Sequence, residues 1–172
     1  TAIDFNSTAP KTTREDMFPL DERGQVRGQV NEHGWLAAGV PGTLAGLQLA
    51  LNRYGTRSFR ELVAPSIQFA REGFPITAGL ASSIQNATAQ IRKDPATARL
   101  LLKDGGPPGV GDTFRNPELA DMLETLAERN SVDSFYRGNI ARRIADEFKK
   151  HGGLVTFKDL AAYRAVEVEP LQ

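Results

Sequence analysis

The chain has no cysteine. That excludes disulfides, thiolate metal sites and a cysteine nucleophile, and leaves the compartment open. Histidine is almost as scarce. His33 and His151 are the two present, far apart and without ligand spacing, so neither a metal nor any other cofactor is expected. Charge of one sign is also missing, since 21 basic residues balance 21 acidic ones. A chain of zero net charge offers no electrostatic reason to expect nucleic acid or an anionic membrane as partner. No apolar run approaches the ~20 residues that a membrane-spanning helix requires. No signal-peptide pattern opens the chain, though it begins on Thr1 and not Met, so that absence says little about export.

What is present is a series of helix signals in a chain of 172 residues, 40% of them apolar. A length of this order suits a single segment without internal domain boundary and can bury roughly 70% of its unfolded surface. Residues 1–5 read as the tail of a strand, Ser7 to Pro10 as a loop, residues 20–34 as an exposed loop, and Trp35 to Val40 as a short strand. A helix follows Pro41-Gly42 with Leu44, Leu47 and Leu51 on one face, and ends at Gly55. Ser58 and Glu61 form a capping box before a helix that ends near Gly73, with Pro65 expected to kink or divide it. Thr77 to Lys93 reads as a polar helix, and Pro95 starts a short one.

Asp104 to Gly111 holds four glycines and two prolines and must be a loop. Asn116-Pro117-Glu118 is a strong helix start, with a capping side chain, proline at the first helical position and a carboxylate at the positive end. Leu119, Met122, Leu123 and Leu126 then form its expected stripe. A further helix carries Ile140, Ile144 and Phe148 on one side and charged residues elsewhere, with Gly152-Gly153 to stop it. Thr156 and Asp159 open the next helix as a weak form of the capping box. The reading is a mainly α chain with very little strand.

The order of short blocks along the chain carries more than any one of them. Asp4-Phe5 and Thr8-Ala9-Pro10 come first, then Val40-Pro41-Gly42-Thr43, then Ala64-Pro65-Ser66-Ile67 with Arg71-Glu72-Gly73-Phe74-Pro75. Gly109 to Phe114 and Leu119-Ala120 follow. The chain closes with Phe135-Tyr136-Arg137-Gly138, His151-Gly152-Gly153, Asp159-Leu160-Ala161-Ala162-Tyr163 and Glu169-Pro170. This series resembles the large subunit of the gamma-glutamyltranspeptidase family, which includes related cephalosporin acylases. The resemblance covers nearly the whole chain.

That resemblance implies the helical part of the large subunit of an αββα N-terminal-nucleophile hydrolase sandwich, whose sheets come mostly from segments outside this chain. It implies a threonine nucleophile at the start of a separate small subunit, released by self-cleavage and activated by its own free amine. Thr1 does not fit that role, because it leads straight into the large-subunit block Asp4-Phe5. No catalytic residue is therefore expected in this chain, which should be inactive alone. The small subunit is an expected partner, with a γ-glutamyl or other acyl-amide small molecule as substrate. A periplasmic or secreted location is the family expectation.

The resemblance also implies an arginine in a Phe-Arg-Glu-x-Ala-Pro motif, gripping the α-carboxylate of the acyl donor through its bidentate fork. This chain reads Phe5-Asn6-Ser7-Thr8-Ala9-Pro10, with Asn6 in the arginine's place and Ser7 in the glutamate's. Asn6 is thus the substrate-binding candidate. Losing such a charge-assisted pair commonly costs about 2–5 kcal/mol where the partner is buried. Three consequences stand open at this point: an altered acyl group, retained γ-glutamyl chemistry with Lys11 or Arg14 supplying the charge, or a non-catalytic helical module. Asn6 as a plain loop residue is the simplest reading of its type.

Other candidates weigh less. His33 sits in a Gly- and charge-rich loop, and His151 precedes a helix-ending glycine pair where a cation suits the negative terminus. Glu15-Asp16 are neighbours in sequence, which does not make convergent carboxylates. Gly105 to Gly109 lacks the Lys and Ser/Thr of a phosphate loop. Arg137, Arg142, Arg143, Lys149 and Lys150 alternate with Asp146 and Glu147, as on a solvated helix face. Trp35 and the nine phenylalanines read as core.

Overall fold

The computed structural model describes residues 1–170. Its elements run β1 (Ala2–Asp4), α1 (Thr43–Tyr54), α2 (Phe59–Glu72), β2 (Phe74–Pro75), α3 (Ala78–Ile91), α4 (Pro95–Leu101), β3 (Thr113–Phe114), α5 (Pro117–Glu128), α6 (Asp133–Arg137), α7 (Asn139–Lys150), α8 (Phe157–Ala162) and β4 (Val166–Val168). The chain is mainly helical. Among the described residues the strands make two separate antiparallel ladders of two strands each. The backbone divides into two compact units, one of Thr1–Phe59 with everything from Arg129 onward, the other of Arg60–Glu128.

The first unit is built on α6, α7 and α8, each packed on the other two. Ala141 in the first turn of α7 is fully buried, and Ile140, Ile144 and Phe148 are half-buried along the helix. Tyr136, Leu160, Val155 and Val40 complete the core. Gly152 ends α7 in the left-handed conformation at φ 73°, and Gly153 N–H donates to the Phe148 carbonyl at 2.7 Å. Thr156 and Asp159 form both halves of a capping box at α8, a stronger start than a Thr-x-x-Asp spacing alone promises. β1 pairs with β4, Ala2 opposite Val168 and Asp4 opposite Val166.

The expected strand at Trp35 to Val40 is not formed. The backbone turns at Gly34 to Ala37 and lays Trp35 against α7, edge-on to Phe148 at 5.1 Å and stacked on His151 at 4.6 Å. Only Val40 bridges, exchanging two hydrogen bonds with Thr8. The stripe expected on α1 also shifts: Leu47 is 54% exposed while Gly46 is buried.

In the second unit, α2 runs through Pro65 as one helix and is not divided there. Arg71 on α2 reaches Asp121 at 3.0 Å and Glu124 at 2.7 Å on α5. Arg60 donates to the carbonyls of Ala127 and Glu128 at the end of α5. Thr77 caps α3, Asp94 caps α4 and Asn116 caps α5 through their side-chain oxygens. The core is Ala70, Ile76, Ile84, Ile91, Ala120, Leu123, Leu126 and Ala127. The buried stripe of α5 is therefore rotated from the expected one, since Leu119 is 40% exposed and the small Ala120 takes the inner position. β2 and β3, which no sequence signal marked, set Phe74 opposite Phe114.

Candidate functional site

The segment after β1 is fixed by three backbone-level devices. The first is the close approach of α1. A Cβ built on Gly42 would overlap the Tyr163 hydroxyl and the Phe5 carbonyl, and one on Gly46 would overlap the Phe5 ring. Only glycine at both positions lets the first turn of α1 lie on Phe5.

The second device is a pair of tyrosines. Tyr163 Oη donates to the Asn6 carbonyl at 2.7 Å. Its ring stacks on Tyr136, with centroids 5.8 Å apart and planes 16° from parallel. Tyr136 Oη donates to the Pro41 carbonyl at 2.9 Å and accepts from Ala45 N–H at 3.1 Å. Gly42 makes no side-chain cap, so Tyr136 satisfies one of the free N–H groups that every helix start leaves. Burial pushes the Tyr136 phenol upward against the opposing effect of the Ala45 N–H, and burial together with the Asp4 charge raises Tyr163. Both therefore stay protonated donors at neutral pH.

The third device is Asp159, 6% exposed. Its carboxylate accepts from Lys11 N–H at 3.1 Å and from Thr156 N–H at 2.9 Å, as well as from the Thr156 hydroxyl. Burial alone would raise this carboxyl. The hydrogen bonds from Thr156 and Lys11 outweigh it and hold the group below its ordinary value. Asp159 thereby caps α8 and ties down the loop after Pro10 with one side chain.

Asn6 itself is exposed, at the edge of a cleft of about 560 Å³ lined by Ile3, Asp4, Phe5 and Asn6 on one side and Val168, Glu169 and Pro170 on the other. Its backbone N–H and side-chain Nδ2 both donate to Asp4 Oδ1, at 3.0 and 3.1 Å. Neither cation considered as a substitute lines the cleft. Arg14 pairs with Asp16 at 3.2 Å on the surface, and Lys11 is held by its backbone. His33 is exposed in its loop, while His151 caps α7, its N–H donating to the Glu147 carbonyl. Sequence reasoning did not identify Phe5, Gly46, Tyr136, Asp159 or Tyr163 as the residues that position Asn6. The available signal was that all but Gly46 lie in the quoted blocks.

Comparison with known proteins places this arrangement. The crystal structure of Helicobacter pylori gamma-glutamyltranspeptidase matches with a TM-score of 0.88 at 34% identity, over 95% of this chain and 47% of that one. Cephalosporin acylase from Bacillus halodurans matches with a TM-score of 0.83 at 29% identity, over 98% of this chain and 32% of that one. The fold is thus that of the helical part of the large subunit in this class of N-terminal-nucleophile hydrolases. The Gamma-glutamyltranspeptidase family model matches residues 1–172, and the chain belongs to that family. It is 41% identical to the glutathione hydrolase proenzyme of Escherichia coli (strain K12), over 99% of this chain and 29% of that protein. The chain therefore spans less than a third of the length of that curated relative.

Proposed function

We propose that the full-length protein carrying this chain is an amidohydrolase and acyltransferase acting through a threonine outside these 172 residues. The threonine Oγ attacks the amide carbonyl carbon while the threonine's own amine takes the hydroxyl proton. The C–N bond then breaks, the proton passes to the departing amine, and an ester-linked acyl-enzyme remains. Water or an acceptor amine attacks that ester, releasing acid or new amide and restoring the hydroxyl. Backbone N–H groups outside this chain would stabilise the oxyanion. In this reading the 172 residues are one contiguous piece of a larger domain, completed by the small subunit that carries the nucleophile. Their own contribution is the cleft beside Asn6, which holds part of the acyl group.

The observation that carries this is the build of the Phe5-Asn6 segment. Gly42, Gly46, Tyr163 and Asp159 all act on a stretch of chain that would otherwise be a free loop. A non-catalytic module is the second reading, favoured by the Asn6 amide being engaged with Asp4 and not directed at a ligand. Release of p-nitroaniline from a panel of acyl-p-nitroanilides by the purified full-length protein separates the two. Turnover of any member, lost when the nucleophilic threonine is changed to alanine, supports the enzyme. No turnover across the panel supports the module.

A further inference from the structure

We propose that this cleft selects acyl donors bearing no carboxylate next to Asn6, and that Asp4 sets the selection. The inference rests on the donor-cleft reading above. Its substrates are acyl amides that are neutral or carry an amine at that position.

Charge is the first ground. Two carboxylates, Asp4 and Glu169, border the cleft, and no Lys, Arg or His does. The Asp4 carboxylate accepts two N–H groups, both from Asn6 and both neutral, and among the described residues no cation pairs with it. A donor carboxylate entering here would meet like charge without a counter-ion, an arrangement that works against binding.

The second ground is that Asn6 is already turned toward Asp4 and brings no charge of its own. Its backbone N–H and its side-chain amide are both engaged by Asp4, and its carbonyl by the Tyr163 hydroxyl. A substrate carboxylate could take only the second Nδ2 hydrogen, a neutral donor, and would still face Asp4. The remaining walls, Ile3, Val168 and Pro170, suit a methylene chain.

Three p-nitroanilides test this on the full-length protein. γ-Glutamyl carries both α-carboxylate and amine, 4-aminobutyryl has the same chain with hydrogen for the carboxylate, and glutaryl keeps the carboxylate without the amine. The expected kcat/KM for 4-aminobutyryl exceeds both others by about tenfold or more, a difference of about 1.4 kcal/mol. Asp4→Asn should narrow that ratio, and Asn6→Arg should reverse it. Inhibition by free 4-aminobutyrate and free glutamate should follow the same order. Should Asp4→Asn fail to fold, Asn6→Arg and the inhibition constants decide. A wild-type preference for γ-glutamyl overturns the inference and leaves the acyl-transfer reading standing. Activity on none of the three, nor on any wider panel, overturns both.

Discussion

Tyr163 is the single side chain on which the position of Asn6 most depends. Its hydroxyl holds the Asn6 carbonyl, and its ring is stacked on Tyr136, which in turn caps α1. Tyr163→Phe keeps the stack and removes the hydrogen bond, a loss of about 0.5–1.5 kcal/mol in stability. On the proposed function the expected result in the full-length protein is a raised KM for acyl donors with a smaller change in kcat, read by steady-state kinetics. Asp159 makes a different prediction. Its carboxyl is held low, so its stabilising effect is complete above the ordinary carboxylate value of about 3.9 and fades as pH falls through that value toward the lower folded one. Asp159→Asn should therefore lower the Tm most at pH 7, by the equivalent of about 1–3 kcal/mol, and the gap from wild type should close below about pH 4. A gap that widened on acidification would contradict the assignment.

At the scale of elements, helix starts were legible because their chemistry is local. Asn116, Thr77, Asp94 and the Thr156–Asp159 pair each declare a cap within four residues of sequence. Which side of a helix faces inward was less legible. On α1 the leucine stripe pointed to Leu47, yet the buried residue is Gly46, because Phe5 from a distant part of the chain lies against it. On α5 the small Ala120 is the buried residue and Leu119 is exposed. Close packing on glycine or alanine leaves no hydrophobic signal at the position itself. The ladder of β2 and β3 was invisible because two-residue strands have no period to detect. In the candidate site Asn6 was legible from the departure at one motif position, whereas its supports come from residues 36 to 157 positions away along the chain. Gly46→Ala tests the packing directly. It should cost about 1–3 kcal/mol by overpacking on Phe5, seen as a lowered Tm, and should weaken donor binding as well. Leu126→Ala, a fully buried site in the second unit, should cost about 2–5 kcal/mol in Tm-derived stability.

On the scale of the whole molecule, the described residues expose more large apolar side chains than two self-sufficient units require. Leu62 and Phe69 on α2 are 54% and 60% exposed, and Val166 and Val168 on β4 are 49% and 40% exposed. Exposed apolar faces of this kind mark surfaces that other protein covers. The 172 residues expressed alone should accordingly bind a hydrophobic dye that the full-length protein does not, and should show no amidase activity. No helix among the described residues is long and apolar enough to cross a membrane. The central claim is that the chain belongs to an enzyme that makes its own nucleophile by cutting itself, and the most direct measurement is the intact mass of the full-length protein followed over hours after synthesis. The account predicts one polypeptide giving way to two, the smaller beginning with threonine, with cleavage abolished when that threonine becomes alanine. A single uncut chain that persists would contradict it.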